Sequence, residues 1–398
     1  MKNKLTVLAM MLGAAGLVAP AAHAQDKVKI GFITDMSSLY ADVEGKNGAL
    51  AIQMAIDDFG GKVLGMPVEM ISADHQNKAD IAASKAREWI DTEGVTMLFG
   101  GTNSGTALAA AKVAAEKKRV YVNSGAGSSA LTNAQCTPYT VHYAYDTVAL
   151  ARGTGSAIVD AGGKSWFFLT ADYAFGQALE NDTAAAVKAK GGTVAGAVRH
   201  PLNASDFSSF LLQAQNSKAQ ILGLANAGGD TINAIKAAKE FGIDKTMKMA
   251  GLLLFITDIH SLGLRNTAGL QFTSSWYWDL NDDTRKFANR FFEKTKRMPT
   301  SIQAADYSAT TNYLKAVEAA KSTDADKVMA AWRGMKMNDF YASGTLRPDG
   351  RYVHDMYLLE VKKPAESTKP WDYFKVVKKI PGEQIFTTKA ESTCPLWK

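Results

Sequence analysis

The sequence is short of the side chains on which most soluble catalysts depend. Its 398 residues contain six histidines and two cysteines. Past the first two dozen residues the histidines are His75, His142, His200, His260 and His354, with no i, i+4 pairing among them. H-E-x-x-H and other metal-ligand spacings are absent, so no metal and no cofactor is expected, and each histidine reads as a surface or structural residue. There is no C-x-x-C pair, which argues against dithiol redox chemistry. Lysine and arginine number 45 against 39 acidic residues, and no basic block concentrates the excess. Nucleic acid is therefore not an expected partner. Hydrophobic residues at 46% and charged residues at 21% exclude wholesale disorder and a polytopic membrane protein. The length suggests two or three domains of roughly 150 residues each.

The only long apolar run is at the start. Lys2 and Lys4 precede Leu5–Val18, and Pro20 and Ala22-His23-Ala24 follow. A positive start, a short apolar core and an A-x-A exit predict a secretory leader over residues 1–24, cleaved after Ala24. The run is too short to span ~30 Å of hydrocarbon comfortably, and no stable membrane insertion is expected after cleavage. No cysteine follows the cleavage site to carry a lipid. Removal of Lys2 and Lys4 lowers the formal charge from +6 to about +4. Export also bears on Cys136 and Cys394. An oxidising compartment favours their pairing, with two separate free thiols as the alternative. A bridge across so long a loop would contribute up to about 5 kcal/mol and staple the C-terminal tail.

Short β-rich runs alternate with alanine-rich helical stretches over most of the chain. The predicted strands are Val28–Thr34, Val68–Ala73, Thr96–Phe99, Val120–Asn123, Trp166–Thr170, Ile221–Ala225, Lys248–Leu254 and Leu270–Ser275. Helices are predicted between them, as at Gly48–Phe59, where Ala49, Ile52, Ile56 and Phe59 share one face. Such alternation builds mainly parallel sheets covered by helices on both faces. Eight strands exceed one small sheet, so two doubly wound α/β lobes are expected. Towards the C-terminus the pattern predicts helices over Asp282–Thr295 and Ala304–Ala320, a hairpin around Pro348-Asp349-Gly350, and strands over Tyr352–Val361 and Tyr373–Val377.

Two glycine-bearing turns stand at strand ends. Gly125-Ala126-Gly127-Ser128-Ser129-Ala130 fits G-x-G-x-x-A, but it follows about the fourth strand and no acidic residue closes the next one. A dinucleotide site is therefore disfavoured, and an anion nest of backbone amides is the plainer use. Gly100-Gly101-Thr102-Asn103-Ser104-Gly105 misses the G-x-S-x-G elbow by one position, and no histidine sits in a general-base context. Aromatic residues also follow strands: Tyr40, Tyr173, Phe175 and Trp276-Tyr277-Trp278. In open α/β sheets ligands bind beyond the carboxyl ends of strands, where these rings fall.

Taken together, these segments resemble one family. Ile30-Gly31-Phe32-Ile33-Thr34-Asp35-Met36-Ser37-Ser38 followed by Gly48-Ala49 resembles the opening of periplasmic solute-binding proteins of the branched-chain amino acid type. Phe99-Gly100-Gly101-Thr102-Asn103-Ser104, Asn123-Ser124-Gly125-Ala126-Gly127 and Thr170-Ala171-Asp172-Tyr173-Ala174-Phe175-Gly176 are similar to its later signatures, in order. The resemblance implies a type I binding fold, with two lobes joined by three hinge crossings and closing on a ligand. Crossings are expected near Tyr143–Tyr145, Ser274–Trp276 and Thr345, with lobe one formed by 25–144 and 276–344 and lobe two by 145–275 and 345–398. It further implies a non-catalytic monomer in the periplasm of a Gram-negative bacterium, delivering solute to an inner-membrane ABC permease. Carried over by position, Asn103 and Ser104 with neighbouring amides would meet a ligand carboxylate, and Gly125 and Gly127 would add backbone donors. Gly127 stands where amino acid binders often carry a hydroxyl. Tyr40 would cover the ligand from lobe one. Tyr173, Phe175, Asn226, Ala227, Phe255 and Trp276 complete the expected site.

One departure guides the choice of ligand. Amino acid binders of this family hold the ammonium group with an acid after a second-lobe strand. Here that stretch reads Gly251-Leu252-Leu253-Leu254-Phe255, with no acid before Asp258. A buried ammonium without an anion costs several kcal/mol. The expected ligand is a small carboxylate with an apolar or aromatic body, such as a benzoate or cinnamate derivative. The alternative is a branched-chain or other hydrophobic amino acid, with Asp172 or Asp258 supplying the charge. A secreted hydrolase and a ligand-sensing module are the more distant readings, and docking to a separate chemoreceptor is compatible with the second.

Overall fold

The computed structural model describes residues 27–398, so the expected leader lies outside the described residues. Six strands form the first sheet: β1 (Val28–Thr34), β2 (Lys62–Val63), β3 (Met66–Asp74), β4 (Met97–Phe99), β5 (Val120–Asn123) and β6 (Thr140–His142). Their order is β2-β3-β1-β4-β5-β6, and every pair is parallel except the short β2–β3 hairpin. β1 is buried along its whole length, as a strand covered on both faces must be. Its side chains part to two cores. Ile30 and Phe32 join Ile52 and Ile56 of the helix Gly45–Asp58, whereas Ile33 joins Ala86 and Trp89 of the helix Ala79–Thr92.

The second sheet contains β7 (Ser165–Ala171), β8 (Thr193–His200), β9 (Ile221–Ala225) and β10 (Lys248–Gly251), in the order β10-β9-β7-β8 and wholly parallel. Both sheets reverse direction of growth once, between β1 and β4 and between β7 and β9. Those switch points open crevices at the carboxyl ends of the strands.

The remaining strands knit the lobes together. They are β11 (Gln271–Ser274), β12 (Lys336–Asn338), β13 (Ser343–Leu346), β14 (Tyr352–His354), β15 (Met356–Val361) and β16 (Phe374–Ile380). β12-β13-β14 and β11-β15-β16 form two antiparallel sheets. The segment Leu270–Ser275 therefore does not extend a parallel sheet, because β11 pairs antiparallel with β15. Nor is Tyr352–Val361 one strand. The chain changes sheet at Asp355, whose carboxylate accepts from Gly382 N at 3.1 Å and whose carbonyl lies 2.8 Å from His354 Nδ1. β10 ends at Gly251, three residues earlier than the apolar run, and this releases Leu253 toward the cleft.

Arg351 ties the segment after β6 to β14. It is fully buried and donates to the carbonyls of Tyr143 at 2.5 Å, Tyr145 at 2.9 Å and Tyr352 at 3.0 Å. Cys136 and Cys394 form a disulfide with Cα atoms 5.8 Å apart. The bridge fixes the tail beside the first sheet, while Arg152 from the second half grips the same tail through Phe386 O and Glu391.

Candidate functional site

The crevices of the two sheets face each other across a small, nearly filled cavity of about 10 Å³. From the first half Tyr40, Val43, Thr102 and Gly125 line it, each just beyond β1, β4 or β5, with Ile302 from the helix Ser301–Ala320. From the crossing and the second half come Tyr145, Tyr173, Phe175, Ala227, Leu253 and Phe255. A larger groove of about 340 Å³ touches Gly163, Ile221, Lys248 and Leu270. It lies at the amino ends of the second sheet, away from the edge where such sheets bind ligands.

Local chemistry sets each wall. Asp35 ends the first strand's turn by accepting from the amides of Ser38 at 2.9 Å and Tyr40 at 2.8 Å and from Asn77 Nδ2 at 2.7 Å. That clamp aims Tyr40 across the cleft, where its hydroxyl lies 2.6 Å from the hydroxyl of Tyr173. Burial raises both phenols well above their ordinary range, so both stay neutral and can exchange a hydrogen bond. Tyr145 donates to Gly125 O at 2.5 Å. The halves also meet through Gly229 N to Leu39 O at 3.4 Å and through Ser129 Oγ to Asp182 at 3.0 Å.

Glycine is required where the walls come closest. A Cβ on Gly127 would sit 2.8 Å from Tyr145 and 2.9 Å from the Phe175 ring. Gly228 has φ of 58°, and a Cβ there would lie 2.9 Å from Leu39 O of the other half.

Of the residues expected from the sequence, Tyr40, Gly125, Tyr173, Phe175, Ala227 and Phe255 line the cavity, and five others lie behind or beside it. Asn103 caps the helix Ser104–Glu116 by accepting from Gly105 N at 2.8 Å and Thr106 N at 3.2 Å. Ser104 Oγ accepts from Ser128 N at 3.1 Å, joining the loops after β4 and β5. Gly127 is the close approach just described. Asn226 accepts from Thr231 Oγ1 at 2.7 Å and lies 3.1 Å from His200 Nε2. Trp276 packs edge-on against Phe287 and Phe340. Val43, Thr102, Tyr145, Leu253 and Ile302 were not foreseen. Thr102 was within a quoted motif, and only its place at the end of β4 could have marked it.

No acid lines the cavity. Asp258 accepts from Phe255 N at 2.9 Å, and burial raises its carboxyl to about 7. Asp172 is spent on Gln177 at 2.9 Å and Arg199 at 3.6 Å, outside the cleft. Behind the first wall lie two more buried acids, Glu44 and Asp306, both raised by burial. Among the described residues no group of His, Cys, Asp and Glu could hold a metal ion, and no helix is long and apolar enough to cross a membrane.

The sequence of the periplasmic binding protein family matches residues 27–368. The chain belongs to that family. It is similar to a periplasmic binding protein of Burkholderia mallei, at 69% identity and a TM-score of 0.94, covering 94% of this chain and 100% of that one. A branched chain amino acid ABC transporter periplasmic ligand-binding protein of Burkholderia xenovorans is 42% identical, with a TM-score of 0.83 and the same coverage. A Leu/Ile/Val-binding protein homolog 6 of Brucella melitensis is 28% identical over 385 residues, covering 92% of this chain and 94% of that protein. The two-lobed α/β architecture is the type I periplasmic binding fold. The protein is a periplasmic solute-binding component of an ABC importer, and it captures a small ligand by hinge closure without chemical conversion.

Proposed function

We propose that the ligand is a small carboxylate with an apolar or aromatic body, such as a benzoate or cinnamate derivative, handed to the importer's membrane permease. The observation that carries this reading is the wall itself. Five aromatic rings and four aliphatic side chains surround the cavity without one acidic side chain among them. An ammonium group there would lose its water and gain no anion. In this reading Gly125 and the hydroxyl of Thr102 face the carboxylate from the first half, and Phe175 and Phe255 cover the apolar body. Ser104 and Asn103 act by shaping their loops. The hinge crossings are proposed near Tyr143–Tyr145, Ser274–Trp276 and Thr345, as the family resemblance implies.

A second reading, a branched-chain amino acid, is favoured by the names of the 42% and 28% identical relatives. Thermal-shift measurements of the mature chain separate the two. Benzoate, 4-hydroxybenzoate or cinnamate should raise the melting temperature by several degrees, with leucine, isoleucine and valine inert. A strong shift with leucine and none with the aromatic acids would reverse the assignment.

A further inference from the structure

Glu44 immediately precedes the helix Gly45–Asp58, and Asp306 lies on the helix Ser301–Ala320. Both are completely buried. The Ser124 hydroxyl oxygen lies 3.2 Å from Glu44 Oε1 and also bonds Asp306 Oδ1, while Thr34 Oγ1 bonds Glu44 Oε2. A serine hydroxyl has one hydrogen, so it cannot donate to two carboxylates at once. One of the two acids must donate to Ser124, and a carboxyl that donates is protonated. The titratable groups facing the pair are Asp35, Tyr121, Tyr145 and Tyr341, from the loop after β1, from β5, from the hinge crossing and from the segment before β13. None is a cation. With no counter-charge among these groups, two adjacent buried carboxyls cannot both ionise readily, and burial raises both.

The pair stands one residue layer behind the cleft. Val43, Thr102, Gly125 and Ile302 line the cavity in front of it. A Cβ on Gly125 would lie 3.2 Å from Glu44 Oε1, and Thr102 Oγ1 is 3.3 Å from the Thr34 hydroxyl that bonds Glu44. Ile302 is one helical turn from Asp306.

We propose that Glu44 and Asp306 share a proton behind the cleft wall, and that this proton determines the charge of ligand the cleft accepts. The inference rests on the carboxylate reading and deepens it. With the proton in place the wall tolerates a carboxylate. Once the proton leaves, a further negative charge about 7 Å from the ligand weakens its binding roughly tenfold to fiftyfold, at an effective dielectric constant of about 20. A positively charged ligand would respond with the opposite sign.

The test is isothermal titration calorimetry of the mature chain with benzoate and with leucine at pH 6.0 and pH 8.5. Benzoate stays ionised at both. The wild-type protein should bind benzoate at least tenfold more weakly at the higher pH, and Glu44→Gln or Asp306→Asn should flatten that dependence. A wild-type affinity that does not change with pH, or variants that keep the full slope, would overturn the shared proton while leaving benzoate binding intact. Binding of leucine with none of benzoate at either pH would overturn the carboxylate reading, and this inference with it. If one acid variant does not fold, the other and Ser124→Ala, which removes the bridging hydrogen, supply the same profile.

Discussion

Gly127 offers a test of what closes the cleft. The family resemblance would make it a backbone donor to the ligand, and alanine would keep that donor. Its φ is not among the left-handed values, so alanine also keeps the backbone. The structure gives the residue a different task. A Cβ would lie 2.8 Å from Tyr145 Cε2 and 2.9 Å and 3.2 Å from two carbons of the Phe175 ring. The first two distances are shorter than real Cβ contacts, so rings must move. Tyr145 is held by its 2.5 Å bond to Gly125 O, and Phe175 is packed against Tyr173. Overpacking of this kind costs about 1–3 kcal/mol. Because Phe175 belongs to the second half, most of that cost exists only when the halves meet. Gly127→Ala should therefore reduce the closed population and weaken ligand binding roughly fivefold to 150-fold. Calorimetry with the best ligand from the thermal screen reads the affinity, and small-angle scattering with and without ligand reads the closure. Wild-type affinity and wild-type compaction in the variant would refute the steric argument and return Gly127 to the role of a simple amide donor.

Three further outcomes follow from the same contacts. Tyr40→Phe removes the 2.6 Å hydroxyl bond to Tyr173 and should cost about 0.5–1.5 kcal/mol of closure, read by calorimetry as a three- to tenfold loss of affinity; no loss would mean the bond contributes nothing. Reducing the Cys136–Cys394 bridge, or replacing both cysteines with serine, should lower stability by up to about 5 kcal/mol for a separation of 258 residues, with calorimetric melting in and out of reductant as the check. Glu44 is raised from 4.5 to about 7, chiefly by burial, so between those values the folded state holds a proton that the unfolded state has released. Stability should then fall as pH rises through that window, reaching a loss on the order of 3 kcal/mol above about pH 7. Denaturant titrations at pH 5 and pH 8 measure it, and Glu44→Gln should lose its share of the slope.

What the sequence made legible was whatever local pattern encodes. Val28–Thr34, Val120–Asn123 and Ile221–Ala225 are strands to the residue, because continuous apolar runs are what central parallel strands require. Thr193–His200 escaped notice because it is an edge strand, half exposed, paired only with β7 and built largely of alanine, glycine and valine. Lys336–Asn338 and Ser343–Leu346 are short and mostly polar, and their partners are set by the hinge. The cavity divided in the same way. Tyr40, Tyr173 and Phe175 announce themselves as aromatic residues just past strands. Leu253 and Ile302 look like ordinary core residues and reach the cleft only because a strand ends at Gly251 and a distant helix packs on Gly45–Asp58. Arg351 was invisible for a related reason: its partners are three main-chain carbonyls, which no side-chain pattern reports.

The two ends of the proposed ligand have unequal leverage on closure. A carboxylate held by the first half contacts the same groups whether the lobes are apart or together, and an interaction equal in both states shifts no equilibrium. The links that span the mouth of the cleft include Tyr40 to Tyr173, Gly229 to Leu39, and Ser129 to Asp182. Each contributes a net 0.5–1.5 kcal/mol to closure, roughly. An aromatic body is different, because Tyr173, Phe175 and Phe255 reach it only when the second half arrives. Burial of about 150 Å² of ring surface contributes roughly 4 kcal/mol, close to a thousandfold change in the closed-to-open equilibrium constant. For a ligand of the proposed kind, the anionic end would supply the affinity of first encounter, and the apolar end would supply the drive to closure.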